Sequence, residues 1–77
     1  MKKGNFNRIK AVLADLGITS KELAEGMGYG LVTVSRWCTN AQQPSISVLH
    51  EIADYLKIDV RDLLVPNKYA ASPGHKR

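Results

Sequence analysis

Residues 19–39, TSKELAEGMGYGLVTVSRWCT, hold two short helix-forming runs joined by only Gly28, Tyr29 and Gly30, and this spacing constrains the chain more than any other feature. Thr19 can cap the free amides of the first run, Glu22 three residues on completes a capping box, and Ile18 can staple against Leu23. Leu23, Ala24 and Met27 supply an apolar stripe, and Gly28 stands where a left-handed residue ends a helix at low steric cost. The chain must then turn sharply. The second run, residues 31–39, spaces Val34, Trp37 and Cys38 at helical intervals, so that face belongs to a core while Leu31, Val32, Ser35 and Arg36 point outward.

The same periodicity predicts helices elsewhere and offers no strand. Residues 7–16 place Ile9, Val12, Leu13 and Leu16 on one face, joined by Phe6 just before the run, and Gly17 stops the helix. After Thr39, Asn40 suits a left-handed conformation, and Ala41-Gln42-Gln43-Pro44 reads as an exposed polar loop in which the proline disfavours helix at Gln43. Ser45 then caps a fourth helix to residue 56 that buries Ile46, Leu49, Ile52, Ala53 and Leu56, and Asp59 caps a short fifth helix through residue 64. The expected organisation is a basic N-terminal arm at 1–5, one helical domain at 6–65, and a basic tail at 66–77 with no apolar period, mobile unless a partner orders it.

At 77 residues the chain buries too little surface for two independent cores. Its single cysteine, Cys38, excludes an internal disulfide and reads as a small buried hydrophobe rather than a redox switch. The basic, hydrophilic start and the lack of a long apolar run predict a cytoplasmic protein without membrane association. Net charge is +4, unevenly spread: residues 1–10 carry Lys2, Lys3, Arg8 and Lys10 with no acid, residues 66–77 carry Lys68, Lys76 and Arg77 with none, and the middle is acidic. That balance favours a polyanionic partner without identifying it. His50 and His75 are too isolated for a metal site or acid-base pair, and no nucleophile-base pairing or phosphate loop is present. An enzyme, a cofactor and a small-molecule ligand are therefore not expected.

Two short helices about a tight turn are also how small proteins set a helix into a DNA groove. From residue 6 to 65 the chain resembles the phage-repressor-like, Xre/Cro family of helix-turn-helix domains. The likeness rests on Thr19 and Glu22-Leu23-Ala24, Gly28 at the turn, Val34-Ser35-Arg36-Trp37, Pro44-Ser45-Ile46, Ile52-Ala53 and Asp62-Leu63-Leu64, aligned without a gap. The resemblance implies an all-α, five-helix domain whose third helix enters the major groove of double-stranded DNA, as one half of a homodimer on a palindromic operator. The chain departs from the family pattern at Ser20, where a phosphate-binding glutamine often stands, and at Gly30, which replaces the usual serine or threonine cap.

On this reading Leu31, Val32, Ser35 and Arg36 are the candidate base readers, with Arg36 the main bidentate donor to guanine and the two apolar residues suited to thymine methyl groups. Backbone phosphates would be met by Thr19, Ser20 and Lys21, by Tyr29, Gly30 and Thr33, and by Thr39, Asn40 and Gln42. Lys2, Lys3, Lys76 and Arg77 could add supporting contacts. Trp37 reads as a core anchor rather than a stacking platform, because it shares a face with Val34. Two functions follow: a sequence-specific transcriptional regulator, read as a repressor, or a protein-interaction module, coactivator or antitoxin-like, in which Leu31 and Val32 dock onto protein.

Overall fold

A computed structural model describes residues 5–67, and every element in it starts or stops at a residue whose chemistry explains the boundary. Four α-helices, α1 (Ile9–Leu16), α2 (Ser20–Met27), α3 (Leu31–Cys38) and α4 (Ile46–Leu56), are followed by a 3-10 turn, Val60–Leu63. The arm at residues 1–4 and the tail from residue 68 onward lie outside the described residues.

Helix α2 has the start its sequence announces. The Thr19 hydroxyl accepts from the Glu22 amide at 3.0 Å while the Thr19 amide donates to Glu22 Oε1 at 2.8 Å, completing the capping box. Thr19→Ala removes one of these bonds and is expected to lower stability by about 1 kcal/mol, read as an earlier urea midpoint with unchanged slope. Gly28 ends α2 at φ 79°, in the left-handed region, and Gly17 ends α1 in the same way at φ 72°. Ser45 caps α4 by accepting from the Val48 amide at 3.2 Å.

Helix α1 begins two residues later than its periodicity suggested. Asn7 Oδ1 accepts from the Ile9 amide at 3.1 Å, so Asn7 acts as a starter rather than a helical residue. Phe6 therefore precedes the helix, its phase does not apply, and it is 63% exposed. Leu16 and Ile46, also expected inside, are 46% and 74% exposed because each sits at a helix end, past the rim of the core. The expected fifth helix is instead the four-residue 3-10 turn. Asp59 caps it as read, accepting from the Arg61 amide at 2.8 Å, but Leu64 then returns to extended backbone and forms an antiparallel bridge with Asn7. Arg61 also hydrogen-bonds the Asp59 carboxyl through its side chain, pulling the Asp59 pKa down to about 2. The loop after α3 is exposed at residues 41–43, whereas Pro44 is buried.

Each element sends one fully buried side chain to a common centre: Ile9, Leu23, Val34, Ile52 and Leu63 all have 0% exposure. Such closure by single apolar residues is what a short chain needs, since no helix here could hold its shape alone. Helix α2 packs against α3, and α4 against the 3-10 turn. Gly26 on α2 leaves the room that Tyr55 of α4 occupies, for a Cβ there would collide with the tyrosine hydroxyl.

Candidate nucleic-acid interface

The outward face of α3 is the surface the sequence described. Val34, Trp37 and Cys38 are buried, while Leu31 and Val32 are 49% and 64% exposed and Ser35 and Arg36 are exposed beside them. Positions 31, 32, 35 and 36 follow the helical repeat, so the four side chains form one stripe about one and a half turns long. Among the described residues no carboxylate pairs with the Arg36 guanidinium, which leaves its planar fork of donors available.

Two contacts hold this stripe in place from behind. The Tyr29 and Trp37 rings pack edge to face, with centroids 5.2 Å apart and planes at 71°, and the Tyr29 hydroxyl donates to Glu51 Oε1 on α4 at 2.7 Å. The turn between α2 and α3 is thus tied to a third helix. The hydrogen bond to Glu51, then partial burial and the carboxylate's charge, raise the Tyr29 pKa above its ordinary value. Gly30 begins α3 with extended backbone and no side-chain cap, so the first amides of α3 lack the partner that a serine or threonine would give them.

The nine residues expected to meet phosphate fall into three groups around the stripe. At the start of α2, Thr19 and Lys21 are exposed, whereas Ser20 is half-buried with its Oγ 3.4 Å from Cys38 Sγ. In the turn, Gly30 is exposed and Tyr29 has its hydroxyl proton committed to Glu51, and in the first turn of α3 Thr33 is half-buried. Beyond α3, Gln42 is exposed, but the Thr39 hydroxyl donates back to the carbonyls of Ser35 and Arg36 at 3.2 and 3.3 Å.

Asn40 is the most thoroughly engaged of the nine. Its Oδ1 accepts from the Phe6 amide at 2.9 Å, the Asn7 amide at 3.0 Å and Gln43 Nε2 at 3.0 Å, while its Nδ2 donates to the Asn7 carbonyl at 3.1 Å. Asn7, itself 5% exposed, donates through Nδ2 to the Trp37 carbonyl at 2.9 Å and to Gln43 Oε1 at 2.8 Å. Asn7, Gln43 and Glu51 are the residues that sequence reasoning missed. Only Asn7 left a local signal, an asparagine two residues ahead of a helical run.

Two short helices at a capped glycine turn, with a buried inner stripe and an open outer one, define a helix-turn-helix domain. The family model of the Cro/C1-type helix-turn-helix DNA-binding domain matches residues 8–68, and the chain belongs to that family. It is a family of DNA-binding domains and not of enzymes. Among solved structures, a Bacteroides fragilis protein named as a candidate DNA-binding protein is 47% identical, matching over 77% of this chain and 95% of its own with a TM-score of 0.74. A search of curated proteins gave no match. No described helix is long and apolar enough to cross a membrane.

Proposed function

We propose that the protein is a sequence-specific transcriptional regulator acting as a repressor, which lays α3 in the major groove of an operator and thereby occludes the site. The observation that carries this reading is the Arg36 guanidinium, unpaired among the described residues, on an exposed helical stripe that also presents Leu31, Val32 and Ser35. An arginine so placed can donate two hydrogen bonds to guanine O6 and N7, and leucine and valine suit the thymine methyl group. Lys21, Gly30 and Gln42, all exposed, are the phosphate contacts with least to give up on binding.

A single stripe reads few bases, so the proposal includes two protomers spaced about 34 Å apart on one DNA face. Selection from random duplex DNA is expected to enrich a palindrome, and sedimentation with that duplex to give a complex of two chains. Arg36→Ala is expected to weaken operator binding by about 1–3 kcal/mol and to relax preference at one base position per half-site. Unchanged affinity and preference would instead favour protein docking through the apolar pair Leu31 and Val32, the second reading their exposure supports.

A further inference from the structure

We infer that the cleft between the start of α1 and the end of α3 is a second backbone-binding surface, which carries a phosphate strand of duplex DNA past the recognition stripe and holds it with Arg8 and Lys10. The inference rests on the proposed DNA-binding reading and extends it to residues on a helix outside the helix-turn-helix pair. The cleft has a volume of about 680 Å³, and its lining includes Asn5, Arg8, Lys10 and Val65 from the two ends of the described chain and Thr39 and Asn40 from the end of α3. Among the described residues no carboxylate lines it. Asp62, whose carbonyl accepts from Arg8 Nη1 at 3.0 Å, lines a neighbouring groove that shares Arg8 and Val65 with the cleft.

Charge, position and chain path agree on the occupant. Lys10 and Arg8 are exposed, and neither is ion-paired among the described residues, so the cleft carries uncompensated positive charge, with one Arg8 nitrogen spent on the Asp62 carbonyl. Its far wall is the end of α3, where Thr39 lies three residues past Arg36, about 4.5 Å along the helix axis. A strand whose bases Arg36 reads would leave the stripe at this wall. The near wall is held there by the Asn40 hydrogen bonds to Phe6 and Asn7. A clasp beside it, Arg8 amide to Leu63 carbonyl at 2.8 Å and Val65 amide to Phe6 carbonyl at 2.9 Å, brings both ends of the described chain to the same side. The acid-free runs of the sequence, residues 1–10 and 66–77, begin or end at that clasp. A polyanion with regularly spaced charges is the partner such a layout fits.

The test is the salt dependence of binding to the selected operator and to a random duplex of equal length. Lys10→Gln is expected to lower affinity for both duplexes by the same factor and to reduce the steepness of log K against log salt by about 0.9, the signature of one lost phosphate contact. Arg8→Gln is expected to do the same, with Arg8→Lys restoring the slope. Lys57→Gln, a charge removed from the far end of α4, should leave the slope unchanged and controls for net charge. Because Lys10 is exposed, its variant keeps the wild-type thermal midpoint, which separates lost contact from lost fold. Operator binding with an unaltered slope in both the Lys10 and Arg8 variants would overturn this inference alone. A wild-type chain that binds no duplex would overturn it together with the reading beneath it.

Discussion

Trp37→Ala is expected to destabilise the fold by about 3–5 kcal/mol, enough to leave a domain of this size largely unfolded near body temperature. The indole is 4% exposed, shares a face of α3 with Val34, and packs edge to face with the Tyr29 ring at a centroid distance of 5.2 Å. Truncation removes the largest side chain of the core and the platform on which the turn rests, and the surrounding backbone cannot collapse into the space. The Trp37 carbonyl also accepts from Asn7 Nδ2 and from the Asn40 amide, so disorder at this point spreads to the segment after α3. Trp37→Phe, which keeps an aromatic ring against Tyr29, should lose much less. A cooperative melt of the alanine variant within a few degrees of wild type would refute the anchoring role.

Asn40→Ala is expected to lose about 3 kcal/mol, from two separable causes. The first is backbone strain, because Asn40 sits at φ 62°, where alanine is disfavoured. The second is the amides of Phe6 and Asn7, which lose the acceptor that serves both. Asn40→Gly removes the side chain without the strain and should recover about 1 kcal/mol, leaving the hydrogen-bond loss. Urea denaturation of the three proteins resolves the two parts. Equal stability of the glycine variant and wild type would show that the carboxamide contributes nothing, and its place would then be at phosphate, as the sequence reading had it.

The difference between these two residues explains how far the sequence could be read. Thr19, Glu22, Gly28 and Ser45 act on neighbours three or four positions away, so helix starts and stops along the middle of the chain are written locally. The stripe of Leu31, Val32, Ser35 and Arg36 is legible for the same reason, since helical phase alone turns it away from Val34 and Trp37. Asn40 and Asn7 work across 33 positions, and Tyr29 reaches Glu51 across 22. No pattern in the sequence couples such residues. Hence Tyr29, Thr39 and Asn40, polar residues expected at phosphate, have their groups committed within the fold. The short fifth helix expected after Asp59 is a four-residue 3-10 turn: its cap is legible in the sequence, and the bridge from Leu64 to Asn7 that follows it is not.

Gly30 adopts φ −70° and ψ 145°, a conformation open to every residue, and a Cβ there would meet nothing closer than Thr33 Oγ1 at 4.0 Å. Nothing steric demands a glycine. A serine would strengthen the domain by only a few tenths of a kcal/mol, yet its hydroxyl would occupy N–H groups that otherwise face outward. Forgoing so small a gain keeps those dipoles vacant; under the proposed DNA-binding reading, a cap added here for thermal robustness would compete with a phosphate for the same amides.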